Sequence, residues 1–322
     1  MTLHIGMIGN GGFSKKHAQQ LSAMDGVKVS AICGSSKEKA ERMAQDYSDA
    51  RGYDSVEQML DDRKLDAVYI CVPPFAHGEI ELALAKREIP FLVEKPLGVD
   101  LETPTAVLKQ VESKGLLTSV GYHFRYMDGT QRAKAMLQEQ TVGMALGYWL
   151  GGMPGVYWWR KADGSGGQFV EQTTHIIDML RYLLGEVTEV YAAYGQRSMH
   201  EKAEGVSVPD VGTVTLKLAS GAVATISNSC MLPVDHWAGL HVYTDGGVLE
   251  ISSSGLKDIA AGRTTEYNNS SDPYASENEA FIHALRTGDS SRILSSYADA
   301  WRSQQIAVAA NHSAAIGQPV RI

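Results

Sequence analysis

The first 121 residues alternate between short apolar runs and amphipathic segments. Apolar runs of strand length occupy residues 3–8, 27–33, 66–72, 90–93 and 116–121. Between them, apolar residues at helical spacing predict helices at 12–24, 37–47, 55–61, 76–87 and 104–113. Because buried strands that alternate with helices form parallel sheets, residues 1–121 predict a doubly wound α/β domain.

From residue 122 the pattern changes to strands separated by turns. Helices are predicted near 128–140, at 167–184 up to Gly185, and at 274–287 and 295–312. Strands are predicted at 144–151, 187–195, 211–219, 223–230, 240–243 and 248–252, and the polar segment 261–272 predicts a loop. Residues 122–322 therefore predict a second, α+β domain with a large, mostly antiparallel open sheet.

Composition and charge narrow the class of protein. The chain has 322 residues, 44% hydrophobic and 20% charged, which suits two folded domains. A net charge of −8 without a basic run argues against a nucleic-acid or anionic-membrane partner. No segment approaches the roughly 18 apolar residues of a membrane helix, and the first residues do not form a signal-peptide core. Three cysteines without CxxC spacing favour a reducing compartment, so we expect a cytoplasmic protein without a metal site.

A glycine-rich turn follows the first predicted strand. It reads Gly9-Asn10-Gly11-Gly12-Phe13-Ser14, with Ser14 where the dinucleotide fingerprint usually has a third Gly or Ala. Gly9 permits the tight turn, Gly11 lets the backbone approach a pyrophosphate, and the next helix presents free N–H groups. The spacing predicts a nucleotide site, and the alternative is a simple Gly-rich turn.

The end of the second strand bears on the choice of nucleotide. It reads Cys33-Gly34-Ser35-Ser36-Lys37, without the Asp or Glu that binds the adenosine ribose in NAD enzymes. Hydroxyls at Ser35 and Ser36 and the charge of Lys37 suit a 2′-phosphate. We therefore expect NADP in preference to NAD, although Lys37 would equally serve as a solvated residue of the next helix.

Three further polar motifs occur in order along the chain. They are Pro73-Pro74 followed by His77, the triplet Glu94-Lys95-Pro96, and Gly166-Gly167 followed by Glu171, His175 and Asp178. The triplet directly follows a buried strand, at the end where ligands bind in such sheets. Glu171, His175 and Asp178 are four and then three residues apart, which places their side chains on one face of the predicted helix 167–184. The same face of a buried helix is ordinarily apolar, so three polar side chains there indicate a function.

Together with the glycine-rich turn, these motifs resemble the Gfo/Idh/MocA family (glucose-fructose oxidoreductase and inositol dehydrogenase), and the resemblance spans the chain. It implies an NAD(P)-dependent oxidoreductase with an N-terminal Rossmann domain and a C-terminal sheet domain. It also implies hydride transfer between nicotinamide and a hydroxyl or carbonyl carbon of a sugar, cyclitol or sugar derivative. A homodimer or homotetramer through the C-terminal sheet is expected.

The resemblance also implies roles for individual residues. Lys95 would contact the reacting oxygen and relay its proton, His175 would be the general acid or base, and Glu171 would orient His175 or bind substrate, although the family often has Asp there. Cofactor contacts are expected from Gly9, Asn10, Gly11, Gly12, Phe13, Ser14, Ser35, Ser36, Lys37, Pro73, His77, Glu94, Lys95 and Arg160. Substrate contacts are expected from Lys95, His123, Trp158, Glu171, His175 and Asp178.

Several interpretations stay open. His77 could simply precede a helix, and Asp178 could brace His175. Arg125 is expected to be structural and to link the domains rather than bind substrate, and His236-Trp237 is expected at a subunit interface. Two other functions are compatible with the motifs. One is an enzyme that keeps NAD(H) bound and acts on glycosides by transient oxidation, and the other is a non-catalytic cofactor-binding sensor.

Overall fold

The computed structural model describes residues 2–322, which divide into two compact units. The first unit contains the residues up to Leu97, Glu102–Gly121 and Tyr274–Trp301. The second contains Gly98–Leu101, Tyr122–Pro273 and Arg302–Ile322. The sequence predicts two domains that are continuous along the chain, 1–121 and 122–322, whereas each compact unit is assembled from several segments.

The first unit is a parallel sheet flanked by helices. Within the described chain its six strands are β1 (Leu3–Ile8), β2 (Val27–Cys33), β3 (Arg51–Tyr53), β4 (Ala67–Ile70), β5 (Phe91–Val93) and β6 (Thr118–Val120). Its first five helices are α1 (Gly12–Ser22), α2 (Lys37–Ala44), α3 (Val56–Asp62), α4 (Glu79–Lys86) and α5 (Glu102–Lys114). The strand order is β3-β2-β1-β4-β5-β6 and each pairing is parallel, so the predicted doubly wound α/β fold is confirmed.

This strand order creates a crevice beside β1, where the chain changes from adding strands on one side of β1 to adding them on the other. From β1 the chain adds β2 and β3 on one side, and β4, β5 and β6 on the other. The segments that leave the carboxyl ends of β1 and β4 therefore diverge. In open parallel sheets ligands bind at this point.

A later helix completes the core of the first unit. Helix α11 (Pro273–Thr287) buries Phe281 and Ile282 in the same apolar cluster as residues of β1, β2 and β4. The ring of Phe281 meets Tyr69 edge-on, with 5.7 Å between ring centroids. Since the apolar spacing of a helix does not say which sheet it covers, the sequence alone could not assign this segment to a unit.

The second unit is built on a larger mixed sheet. In the part of the chain that the structure describes, its nine strands are β7 (Val142–Leu150), β8 (Val187–Gly195), β9 (Val211–Leu218), β10 (Val223–Ser229), β11 (Trp237–Thr244), β12 (Gly247–Ser252), β13 (Gly255–Ala260), β14 (Arg263–Asn268) and β15 (Val320–Arg321). Their order is β14-β13-β12-β11-β7-β10-β9-β8-β15. Within this sheet, as described for residues 2–322, β7 and β10 are the only neighbours that pair in parallel, so the predicted mostly antiparallel sheet is confirmed.

Helices cover one face of this sheet. They are α6 (Asp128–Met136), α8 (Gln168–Glu171), α9 (Thr174–Leu184) and α12 (Tyr297–Ile316), whose first five residues belong to the other unit. The second unit also contains two four-residue helices, α7 (Ala162–Ser165) and α10 (Met199–Lys202), and α10 buries none of its residues. Ile176, Ile177 and Leu180 of α9 are fully buried, in one cluster with inward-facing residues of the sheet such as Val214 and Leu240. This packing fixes α9 firmly on the sheet.

Two expectations about the second unit are wrong. The segment predicted as a polar loop contains β14, an edge strand paired with β13 and largely exposed on both faces, so it shows no apolar alternation. The helix predicted over 167–184 is two helices, α8 and α9, interrupted at Gln172 and Thr173. The side chain of Gln168 donates to the Ser229 carbonyl at 3.1 Å and accepts from Asn228 at 2.7 Å, and these contacts join α8 to β10.

Helix length and polarity also bear on membrane association. Within residues 2–322, the structure contains no helix that is both long enough and apolar enough to span a bilayer.

Candidate functional site

The glycine-rich turn occupies the crevice after β1. Gly9 has φ +109°, and a Cβ there would lie 2.2 Å from the Cys71 carbonyl oxygen, so only glycine fits against the end of β4. The Ser14 hydroxyl donates to the Gly9 carbonyl at 2.7 Å, so Ser14 braces the turn from within. A Cβ at Gly11 or Gly12 would meet no atom within 4 Å, so this side of the turn is open. The first turn of α1 presents N–H groups without a side-chain cap, as a bound phosphate requires.

The other residues of the turn flank this backbone. The Asn10 side chain lies beside Gly34 at the end of β2, and it joins the turn to the predicted ribose region. Phe13 is 53% exposed at the start of α1 and stacks on Tyr274, with 6.2 Å between ring centroids. The structure therefore brings Asn10 toward β2 and leaves an aromatic face at the mouth of the turn.

Beyond β2, the polar residues divide into a capping and an exposed group. The Ser36 hydroxyl accepts the Lys39 N–H at 3.4 Å and caps α2, so it is occupied locally. Ser35 and Lys37 are exposed, and the ammonium of Lys39 lies 3.4 Å from the Ser35 hydroxyl. Lys39 was missed by the sequence analysis, although its position one helical turn from Ser35 is a signal that could have identified it.

Negative charge also lies near the end of β2. Burial raises the pKa of the Cys33 thiol to about 11, with further contributions from the carboxylates of Asp54 and Glu57. Side chains of both charges therefore lie near the end of β2.

After β4, the chain makes a short 3₁₀ turn over Pro74–Ala76, directly behind Pro73. The His77 side chain is 1% exposed, and its Nδ1 lies 2.6 Å from Glu81 Oε1. The other carboxylate oxygen of Glu81 accepts the Gly78 N–H at 2.6 Å. The Glu81 carboxylate therefore has two roles, because it orients His77 and also accepts a backbone N–H at the start of α4. This contact was not predicted from the sequence.

The triplet after β5 continues the sheet edge. The Glu94 N–H donates to the Ile70 carbonyl at 2.8 Å, so Glu94 still belongs to the strand register beside β4. Its carboxylate is bound by His17 of α1, with 3.0 Å between Nε2 and Oε1. Lys95 is half-buried, and the Lys95–Pro96 peptide bond is cis. The structure thus places this lysine at the same carboxyl edge of the first unit as the glycine-rich turn.

In the second unit, four aromatic rings surround His175 near the start of α9. Its imidazole is nearly parallel to the Phe124 ring at a centroid distance of 4.7 Å and to Trp149 at 5.9 Å. His123 meets it edge-on at 4.8 Å, as does Tyr122 at 5.9 Å. His175 is 4% exposed, so the rings restrict it to one orientation. His123 was predicted near the site, whereas Tyr122, Phe124 and Trp149 were not.

Asp178, one turn further along α9, is a buried partner of Arg125. The two form a bidentate pair with distances of 2.7 Å from both Nε and Nη2 of Arg125 to the carboxylate. Ser303 donates a further hydrogen bond to Asp178 at 2.8 Å. Since three protein donors occupy this fully buried carboxylate, we assign it to the support of α9. Arg125 was expected to link the two domains, whereas both residues of this pair belong to the second unit.

Glu171 lies at the end of α8 and therefore does not share a helix with His175, contrary to the predicted single helical face. The indole N–H of Trp159 donates to its carboxylate at 2.7 Å. Trp159 is 1% exposed, whereas the adjacent Trp158 and Arg160 are half-buried. The tryptophan pair thus divides into a buried member that orients Glu171 and a member with an accessible face.

Models of one protein family match both the N-terminal and the C-terminal part of the chain. A model of an oxidoreductase family with an NAD-binding Rossmann fold, GFO_IDH_MocA, matches residues 3–122. A C-terminal domain model of the same family matches residues 130–250. The chain belongs to the GFO/IDH/MocA oxidoreductase family, as the resemblance in the sequence implied.

Individual relatives resemble the chain over nearly its full length. Myo-inositol 2-dehydrogenase of Thermotoga maritima is 23% identical over 309 residues, covering 89% of each protein. Inositol 2-dehydrogenase of Rhizobium meliloti is 28% identical over 313 residues, covering 89% of this chain and 90% of that protein. The structure of a levoglucosan dehydrogenase in complex with NADH and L-sorbose aligns with a TM-score of 0.90 at 21% identity, covering 100% of this chain and 99% of the other. The last similarity shows that the fold is shared.

Proposed function

We propose that this protein is a nicotinamide-dependent dehydrogenase that transfers hydride between its cofactor and a CH–OH or carbonyl carbon of a sugar, cyclitol or sugar derivative. The observation that carries the proposal is the position of Lys95, which lies at the carboxyl edge of the parallel sheet together with the glycine-rich turn. The relatives named as inositol dehydrogenases support a polyol substrate.

The residues of the first unit fit a dinucleotide. Gly9 would form the tight turn, since its own N–H donates to the Cys33 carbonyl at 2.8 Å, and the backbone N–H groups from Gly11 onward would hold the pyrophosphate. His77, fixed by Glu81, would contact a ribose hydroxyl. A nicotinamide ring, when bound, supplies the site that accepts or donates hydride. The protein contributes orientation and proton transfer.

We propose that Lys95 and His175 manage the proton of the reacting oxygen. The Lys95 ammonium donates a hydrogen bond to the substrate oxygen and stabilises negative charge as the carbonyl is reduced. His175 accepts or returns the proton through an imidazole that four rings hold in place. Glu171, oriented by Trp159, binds a substrate hydroxyl. His123, Trp158 and Arg160 remain proposed contacts of the same ligands.

We retain NADP as the preferred cofactor, for a reason that differs in part from the sequence prediction. Ser35 and Lys39 provide a hydroxyl and an ammonium 3.4 Å apart on the exposed rim of β2, which suits a 2′-phosphate. Asp54 and Glu57 oppose this preference by their charge. Titration of wild type and Lys39→Ala with NADP and NAD decides the matter. We expect the variant to lose NADP affinity selectively, and equal affinity of wild type for both cofactors would contradict the preference.

We also propose that the protein self-associates through the outer face of its large sheet. Tyr148, Trp237 and His241 contact one another on this face. The Trp237 ring is tilted against Tyr148 at a centroid distance of 4.9 Å and meets His241 edge-on at 4.6 Å. Met144 beside them is 38% exposed. Apolar and aromatic side chains on an uncovered sheet face favour a protein contact. Sedimentation of wild type and Leu146→Asp tests this, since the charge on the same face should shift a dimer or tetramer to monomer.

The proposed activity is tested with a panel of polyols and aldoses and either cofactor, by following the absorbance of the reduced nicotinamide. Lys95→Met should lower kcat by about 100-fold or more and preserve cofactor binding. Lys86→Met, an exposed lysine of α4, is the matched control. A Lys95→Met enzyme with nearly full activity would exclude the assigned role. A cofactor that co-purifies and is not consumed would instead indicate catalysis by transient oxidation.

A further inference from the structure

A buried chain of side chains links two helices of the first unit to the catalytic edge of its sheet. The imidazole of His17, on α1, is fully buried, with Nε2 3.0 Å from Glu94 Oε1 and Nδ1 2.8 Å from Asn278 Oδ1. Asn278, on α11, donates through Nδ2 to Gln20 Oε1 at 2.7 Å. His17 and Asn278 are separated by 261 residues in sequence.

The hydrogen bonds define where the protons lie. Because the Asn278 amide nitrogen donates to Gln20, its oxygen faces His17, and Nδ1 of His17 must carry a hydrogen. On the other side of the ring, Nε2 faces a carboxylate oxygen of Glu94. A hydrogen bond across that gap requires one proton between the two atoms. His17 and Glu94 therefore form a pair that together holds this proton, which avoids an uncompensated buried charge.

The Glu94 carboxylate has little room to move. Its side chain is 7% exposed, and a Cβ at Gly121 would lie 2.5 Å from Oε2, so the carboxylate packs against the backbone of Gly121. The ring of His17 is itself enclosed by Tyr69 and Tyr274, at centroid distances of 5.4 Å and 5.8 Å. The pair is thus clamped from both ends.

We propose that His17 is a positioning residue for hydride transfer. Through Glu94 it fixes the strand end from which Lys95 extends, and through Asn278 it ties that position to α11. This inference rests on the proposed function, because the role of Lys95 does. The consequence is that loss of the His17 hydrogen bond displaces the lysine and lowers turnover, while the Gly9 turn continues to bind the cofactor.

The test compares two substitutions of one residue in the full-length protein. His17→Leu removes both hydrogen bonds, whereas His17→Gln places an amide N–H₂ near the position of Nε2 and can still donate to Glu94. We expect kcat to fall about 10- to 100-fold in His17→Leu, with the cofactor Kd changed less than about threefold, and to recover at least about fivefold in His17→Gln. His4→Gln is the control, an exposed histidine at the amino end of β1 that bonds to Ser30 at 2.8 Å.

Two results would overturn the proposal. One is a folded His17→Leu protein with kcat within twofold of wild type. The other is an equal loss of kcat in the Leu and Gln variants that follows their losses in melting temperature, as a purely structural role predicts. If His17→Leu does not fold, Asn278→Ala replaces it. This variant keeps Nε2 but frees the ring, and we expect kcat to fall about 3- to 10-fold, with an unchanged kcat contradicting the proposal.

The hydrogen-bond chain can also be tested without turnover. The ¹⁵N signals of the His17 ring should show a hydrogen on Nδ1, and Glu94→Gln should shift the Nε2 signal strongly. If both NMR results are obtained while wild type reduces neither cofactor with any polyol or aldose, the proposed function fails but the hydrogen-bonded His17–Glu94 pair is supported. If the Nε2 signal does not respond to Glu94→Gln, the positioning proposal fails whatever the activity.

Discussion

Replacement of Asp178 by asparagine is expected to destabilise the second unit without removing a substrate contact. In the structure the carboxylate accepts two hydrogen bonds of 2.7 Å from Arg125 and one of 2.8 Å from Ser303. The side chains of Arg125 and Asp178 are 4% and 0% exposed. The asparagine N–H₂ would face a donor of the guanidinium and leave the positive charge buried without its partner.

The structure sets the expected size of this effect. Loss of one partner of a buried, hydrogen-bonded ion pair costs about 3–5 kcal/mol. In a folding unit of this size, each kcal/mol lowers the midpoint of thermal unfolding by about 2–4 °C, so the melting temperature should fall by about 6–20 °C. The double variant Arg125→Met/Asp178→Leu should recover much of the loss, because an apolar pair replaces the charges.

Urea and thermal unfolding of wild type, both variants and the exposed control Asp163→Asn measure the stability, and initial rates at 25 °C measure the KM for substrate. We expect the free energy of unfolding to change and the KM to stay within about twofold of wild type. If Asp178→Asn unfolds like wild type but raises the KM at least about tenfold, Asp178 is a substrate ligand and our reasoning is refuted.

Further predictions concern a glycine, a buried carboxylate and an indole donor. Gly9→Ala should lower the free energy of unfolding by at least about 1–2 kcal/mol and weaken cofactor binding at least about tenfold, because the new Cβ would lie 2.2 Å from the Cys71 carbonyl oxygen. Fluorescence titration measures the cofactor affinity, and an unchanged affinity would contradict this prediction. For Asp210, burial raises the pKa, but three backbone N–H bonds from residues 197–199 outweigh it and hold the pKa below its usual value. The ionised carboxylate therefore stabilises the fold above the unfolded-state pKa, and this stability is lost as the pH falls through the folded-state pKa. The urea midpoints of wild type and Asp210→Asn should consequently converge in acid, and a difference between them that does not depend on pH would refute this. Trp159→Phe should lower kcat/KM about tenfold by freeing the Glu171 carboxylate, and equal values in steady-state assays would show that the indole bond is dispensable.

The elements predicted well from sequence are those with a strong apolar pattern of sufficient length. Leu3–Ile8 and Val27–Cys33 are confirmed as strands with the predicted bounds. The three-residue strand Arg51–Tyr53 was not predicted, because only Tyr53 is buried and three residues carry no periodicity. The interruption between α8 and α9 was not predicted, because the helical spacing of apolar residues continues on both sides of Thr173. The helix itself is broken there.

For the site, the sequence predicted residues that stand in local motifs and missed their partners. Gly9 has the conformation that its motif requires. Glu81, His17 and Trp149, which hold predicted residues in place, carry no motif of their own. They reach their partners through tertiary packing, which periodicity and spacing do not encode.

The central claim is that this protein moves hydride between a CH–OH carbon and nicotinamide. Its most direct test uses a polyol that the protein turns over, labelled with deuterium at the carbon that is oxidised, and analyses the cofactor by mass spectrometry. We predict one deuterium on the reduced nicotinamide for each carbonyl formed. Product without deuterium in the cofactor, or turnover that leaves the label on the product carbon while bound cofactor is recycled, would contradict a simple dehydrogenase.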